Sequence, residues 1–226
     1  MRFIKLLLGD IRFQFKYGFY FMYVVFCVAY IWILLFFPAA WRQKAACMMI
    51  YSDPAALGLF FMGAIILLEK SERVLNALAV SPLIIMEYIL SKVISLAAIS
   101  TLVSLVLAIV AGSDNIPVIL LSVVITSGIF TLLGLIIAEK INSLNQYLIA
   151  TVPLEIICFV PPLIYLFYPV DILRWHPLNS SMRLINGSTN HTACDMMILI
   201  LIFLILFLIA HRTTQKMWKT IGGVKL

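Results

Sequence analysis

Charge is scarce in this sequence. Only 12% of the 226 residues are Asp, Glu, Lys or Arg, about half the share of soluble domains. Hydrophobic residues make up 64%, and the mean hydropathy is +1.11. A water-soluble fold of this length has no way to hide so much apolar surface, which excludes secreted disulfide scaffolds, disordered chains and most soluble enzymes. Signatures of self-contained chemistry are missing too. No Gly-x-x-x-x-Gly-Lys-Ser/Thr run cradles a nucleotide, and no His-Glu-x-x-His pair holds zinc. The three histidines, His176, His191 and His211, are scattered around loop ends. The four cysteines show no paired spacing for metal or redox work. Cys27 and Cys158 fall in apolar runs and read as packing. Cys47 and Cys194 lie toward one face, which leaves a disulfide between them as an open alternative.

What is present is a succession of uncharged runs. Residues 17–41, 93–113, 115–138 and 196–211 carry no charge, 45–68 is interrupted only by Asp53, and 141–170 only by Glu155. A helix needs about 20 apolar residues to cross the hydrocarbon. The pattern predicts an all-α integral membrane protein, one transmembrane domain over 1–226. Its six transmembrane helices fall at about 18–40, 54–69, 86–112, 116–138, 146–168 and 194–212. The net charge of +6 reads as topology, not as a nucleic-acid footprint. With the N-terminus inside, twelve Lys and Arg fall on inner segments and four on outer ones, which puts both termini in the cytoplasm.

The polar remainder is concentrated in a few segments. In residues 1–17, Lys5, Arg12 and Lys16 share one helical stripe while Phe3, Leu6, Leu7, Ile11 and Phe13 cover much of the rest. That pattern predicts an amphipathic helix lying in the inner interface. Ser52-Asp53-Pro54 reads as an N-cap followed by a first-turn proline, the start of the second span. Gly58 and Gly63 in that span permit close helix contact.

Residues 70–81 predict a short amphipathic helix on the inner surface, with Glu69 and Arg73 as an exposed i, i+4 pair. Val74, Leu75 and Leu78 form its apolar face, and Pro82 ends it. Such a face lies on lipid or docks in a groove on another protein. The outer segment 170–193 carries Trp175, Leu178, Met182, Leu184 and Ile185 and predicts a small helical cap dipping into the outer leaflet. Glu155 is the one carboxylate deep in an apolar run, bracketed by Pro153 and by Pro161 and Pro162. Prolines remove helical hydrogen bonds, so the segment reads either as a path-lining or broken helix, or as a carboxyl paired between helices.

One stretch carries a family likeness. Asp53-Pro-Ala-Ala-Leu-Gly, then Leu67-Leu-Glu-Lys-Ser-Glu-Arg-Val-Leu-Asn-Ala-Leu-Ala-Val-Ser-Pro82, then Tyr88 and Ser91-Lys92 resemble the ABC-2 class of transporter permeases. Within that class the chain is most similar to small drug-export permeases of the fluoroquinolone type. The His176-Pro177-Leu178 run resembles the start of that family's outer segment.

The resemblance implies a permease subunit of an ATP-driven exporter that moves a hydrophobic or amphipathic compound (drug-like, lipid or peptide) out of the cell. Residues 70–81 would be the coupling helix, with Glu72 and Arg73 as polar contacts to a separate ATPase and Val74, Leu75, Leu78 and Pro82 completing the docking element. Glu155, Pro153, Pro161 and Pro162 are candidates for the translocation path. The resemblance implies no cofactor on this chain, with ATP and magnesium held by the partner ATPase. It also implies a second permease copy as a homodimer, a bacterial plasma-membrane location, and no nucleic-acid partner. Two other classes remain open. One is an intramembrane enzyme acting on lipid or peptide, with Glu155 as acid or base; the other is a stand-alone channel or scaffold.

Overall fold

The computed structural model describes residues 2–53, 58–79, 83–168, 173, 176–187 and 191–221. Among these residues the regular elements are all helices. In chain order they are α1 (Arg2–Lys16), α2 (Phe19–Phe36), α3 (Ala39–Ser52), α4 (Leu59–Ser71) and α5 (Val74–Ala79). Then follow α6 (Ile85–Ala111), α7 (Ile116–Lys140), α8 (Leu144–Phe167), α9 (Asn179–Ile185) and α10 (Thr192–Ile221). Five of them, α2, α6, α7, α8 and α10, are long and apolar enough to cross a membrane. The sixth crossing expected from the sequence falls to α3 and α4 in succession. Trp41 of α3 stacks on Phe167 at one end of the bundle, and Lys70 of α4 reaches the α7–α8 connection at the other.

That arrangement corrects the second span. Residues 39–52 are already helical, and Asp53 continues with helical dihedrals, its backbone N–H donating to the Met49 carbonyl. Asp53 is therefore not an N-cap. The Ser-Asp-Pro run that resembles a helix start lies within a bundle crossing, and Pro54 itself is outside the described residues.

The end of the bundle carrying α1, α5 and the last turns of α10 is termed proximal; the end carrying α9 and the α6–α7 turn is distal. The antiparallel pair α6 and α7 forms the buried centre, while α2, α8 and α10 sit at its edge with long apolar faces exposed. Small and hydroxyl side chains let helices approach closely in this centre: Ser100 of α6 meets Ser127 of α7, Gly128 of α7 lies against Val93 of α6 and Phe203 of α10, and Gly134 of α7 lies against Leu59 and Met62 of α4. The Ser127 hydroxyl reaches that of Ser100 at 3.4 Å.

Gly63 shows why α4 carries a glycine. A Cβ there would lie 2.0 Å from the Tyr147 ring of α8, whose hydroxyl donates to the Leu59 carbonyl at 2.6 Å. The ring is hydrogen-bonded in place and cannot retreat. Gly63→Ala is therefore expected to lower stability by about 1–3 kcal/mol, the cost of overpacking. Thermal unfolding of the detergent-solubilised chain reads this, and a second change, Tyr147→Leu, should restore part of the loss.

Lys70 closes the neighbouring contact. Its ammonium donates to the carbonyls of Ala138 and Glu139, both at 2.9 Å, and of Ile141 at 2.6 Å. A cation thus satisfies the unpaired carbonyls at the C-terminal end of α7, where the helix dipole favours positive charge.

Candidate functional site

The proximal end holds a buried charge cluster built from three helices. Lys92 of α6 is 1% exposed and donates to Asp10 of α1 at 2.5 Å and to Glu69 of α4. The second Asp10 oxygen accepts from the Ser91 hydroxyl at 2.6 Å, and the second Glu69 oxygen accepts from Tyr88 at 2.8 Å. One turn further along α1, Gln14 donates to Ser95 at 2.8 Å. Every carboxylate oxygen in the cluster has a partner, the condition under which buried charge is tolerated.

This geometry corrects two expectations. Glu69 does not make an exposed pair with Arg73; it turns inward to Lys92 and Tyr88. Helix α1 does more than lie on a lipid surface. Its cations Lys5, Arg12 and Lys16 are exposed, but Asp10 and Gln14 project into the bundle.

The segment expected as a helix over 70–81 is shorter and broken. Helix α4 ends at Ser71, and Arg73 adopts a left-handed backbone with φ 57°, which reorients the chain before α5 begins at Val74. Glu72 and Arg73 are exposed at this turn, and Tyr17 donates a hydrogen bond to Glu72. Val74 is half-buried. Leu75 is 1% exposed and packs in the chain's own proximal core with Ile66, Tyr88 and Met217. Its side chain is not part of a free docking face. The Leu78 side chain and Pro82 lie outside the described residues. The exposed Glu72–Arg73 turn is thus held by Tyr17 on one side and by Leu75 against α10 on the other, with Glu69 of the charge cluster one helical turn away.

Helix α8 runs unbroken through Pro153, Pro161 and Pro162. The expected broken helix is absent because the freed carbonyls find partners elsewhere. Pro162 releases the Cys158 carbonyl, which accepts from the Tyr51 hydroxyl at 2.7 Å. Pro161 releases the Ile157 carbonyl, which accepts from the His176 side chain. Glu155 is half-buried, beside the exposed Ile156 and Ile157 on the outer face of α8; Pro153 is exposed and Pro162 buried.

At the distal end, α9 packs against α3, α7, α8 and α10, with Ser180, Ser181 and Met182 at most 1% exposed. It is a plug seated in protein, not a cap dipping into lipid. Ser181 and Thr126 are 2.6 Å apart, and the Arg183 Nε donates to Asp195 at 3.0 Å. The Asp195 hydrogen bond raises the pKa of the Arg183 guanidinium, outweighing the opposing effect of burial. Cys47 and Cys194 are both free, Cys47 buried with its thiol 3.3 Å from the Met182 sulfur.

Two residues to which sequence reasoning gave no site role are central here. Lys92 anchors the proximal cluster. Asp53, read as a cap, is 0% exposed with neither carboxylate oxygen hydrogen-bonded.

A bundle of apolar helices with a buried ionic brace beneath an exposed turn suits a membrane transport protein, and comparison with known families decides which kind. The family model for fluoroquinolones export permease proteins matches residues 1–219. The chain belongs to that family. Fluoroquinolones export permease proteins of two Mycobacterium tuberculosis strains are 27% identical to it over 161 residues, covering 69% of this chain and 68% of each relative. The match spans α1 through most of α10, so the proximal cluster, the Glu72–Arg73 turn and the distal plug all belong to this drug-export permease.

Proposed function

We propose that this export permease is the membrane subunit of an ABC-2 type exporter, driven by a separate ATPase and expelling amphipathic, drug-like compounds from the cell. The compounds named in its relatives, the fluoroquinolones, are the first candidates. In this reading the chain sits in the plasma membrane with both termini in the cytoplasm, so the proximal end faces the ATPase. ATP and magnesium bind the ATPase alone. Two copies of this chain meet around the path, with α8 and its Glu155, Pro153, Pro161 and Pro162 on the side toward it.

The observation that carries ATPase coupling is the Glu72–Arg73 turn. Both side chains are exposed, yet the turn is tied by the Glu72 carboxylate to Tyr17 just after α1, and through the adjoining α4 and α5 to α6 and α10. A push on this turn therefore reaches several spans at once, which is what a coupling element requires.

Arg73→Glu tests the reading. Co-expressed with the ATPase of a neighbouring reading frame, the variant should fold normally. Its ATP-driven uptake of a fluoroquinolone into inside-out vesicles should fall about tenfold, the equivalent of ~1.4 kcal/mol of lost docking. Normal uptake together with normal ATPase co-purification would overturn the coupling assignment.

A further inference from the structure

We propose that Asp53, with Tyr23 and Tyr30, forms an intramembrane subsite for the cationic ammonium group of an amphipathic amine, and so selects which compounds the permease carries. The proposal deepens the export reading and rests on it for the identity of the cargo. Its test is arranged so that the two fail separately.

Asp53 differs from the other buried acids. Asp10 and Glu69 are neutralised by Lys92, Asp195 by Arg183, and Glu139 accepts from Thr214. Among the described residues Asp53 alone combines full burial with two carboxylate oxygens that accept no hydrogen bond. An unpaired carboxylate away from water is costly, and a cation that arrives beside it recovers most of that cost. Intramembrane acids for this reason mark ligand and ion pathways.

The surroundings are polar and aromatic as well as buried. Tyr23, Cys27 and Tyr30 of α2 lie within electrostatic reach of Asp53. The Tyr23 hydroxyl lies near Ser100 without completing a hydrogen bond, and the Tyr30 hydroxyl lies near Ser52, the chain neighbour of Asp53. Ser100 continues the polar lining through its contact with Ser127. Gly58, at the start of α4, brings the chain against Thr131, whose hydroxyl also has no partner. Ser104, one turn beyond Ser100 on α6, carries another unpartnered hydroxyl. The result is a buried polar cluster beside the middle of α6 and α7 with one carboxylate, two phenol side chains and spare hydrogen-bonding groups.

That combination fits an ammonium. The carboxylate supplies charge, the phenol faces supply cation–π attraction, and the hydroxyl oxygens accept the ammonium protons. A divalent metal would require more acidic or imidazole ligands, and no group of three His, Cys, Asp or Glu among the described residues is placed to hold one. The position also fits. Asp53 lies between the Trp41 end and the Lys70 end of the crossing that α3 and α4 make together. The cluster is covered on its outer side by α2, whose Val24, Val25 and Val28 are exposed on the opposite side. Displacement of this one peripheral helix would make room for the ammonium and give it access from the bilayer, where amphipathic amines concentrate.

The test uses norfloxacin, which carries a basic secondary amine, and N-acetylnorfloxacin, in which that nitrogen is an uncharged amide. Binding to the purified full-length chain is followed by thermal shift, and export by ATP-driven uptake with the ATPase present. The wild type should bind norfloxacin at least tenfold more tightly than the acetylated compound, and the isosteric Asp53→Asn should erase that preference without weakening the acetylated compound. Equal binding of the two compounds by the wild type overturns the subsite, as does a preference that survives in Asp53→Asn. A variant that loses both compounds equally also overturns it, pointing to a structural or proton-carrying role. If Asp53→Asn fails to accumulate, the wild-type comparison is repeated against tetramethylammonium. Competition for norfloxacin alone sustains the subsite, and competition for neither or for both overturns it. Amine-selective, Asp53-dependent binding without export would sink the export reading and leave the subsite standing; export without amine selectivity would do the reverse.

Discussion

Replacing Lys92 with methionine is expected to cost about 3–5 kcal/mol, the penalty for leaving a buried ion without its partner. Against total stabilities of about 5–15 kcal/mol, that loss is a large share of the margin and should lower both the Tm and the yield of folded chain. Methionine preserves most of the lysine's volume, so packing is nearly unchanged; what changes is that Asp10 and Glu69 face each other with their shared cation gone. The triple variant Asp10→Asn, Glu69→Gln, Lys92→Met should recover most of the loss, because neutral amides keep the shape and can still accept from Ser91 and Tyr88. The measurement is the yield of monodisperse protein and its Tm in detergent. A single variant as stable as wild type would show that the cluster is not a brace. So would a triple variant no better than the single one.

The same cluster shows what could and could not be read from the chain. The spans at α6, α7 and α10 follow from uncharged runs, because the hydrocarbon admits little else. The cluster depends on partners 82 and 81 residues away from Asp10, and no local pattern records that pairing. A trace of it does exist in α1. On a wheel of 100° per residue, Asp10 and Gln14 stand about 160° from the stripe of Lys5, Arg12 and Lys16, within the apolar face. A purely interfacial helix has no reason to place an acid and an amide there.

Asp53 misled for a different reason. Ser-Asp-Pro has the chemistry of a helix start wherever it occurs, and only the helix already formed over Ala39–Ser52 shows that the chain is mid-crossing. The α8 prolines make the opposite point. Their local effect, three carbonyls that lose a helical donor, was legible; two of them find donors outside α8, Tyr51 and His176, and the helix continues where the sequence suggested a break.

Leu75→Asp carries the second large effect, and it separates docking from folding at the Glu72–Arg73 turn. Periodicity puts Val74, Leu75 and Leu78 on one apolar face, but it is silent on what covers them. Leu75 is covered by this chain itself, packed with Ile66, Tyr88 and Met217. An aspartate there is a buried charge with no cation arranged to meet it. The expected result is loss of folded protein, by several kcal/mol in unfolding measurements, with or without an ATPase present. Arg73→Gly should behave in the opposite way. Glycine accepts the left-handed backbone that Arg73 adopts at φ 57°, so the variant should be as stable as wild type or more stable by about 0.4–1 kcal/mol. It nevertheless removes an exposed cation, and its defect should appear only in ATP-coupled transport. If Leu75→Asp accumulates normally and fails only in transport, the leucine belongs to the docking face after all and α5 must leave the core when the ATPase binds. If Arg73→Gly unfolds the chain, the turn is held by contacts of the arginine side chain and not by the backbone geometry on which the coupling reading depends.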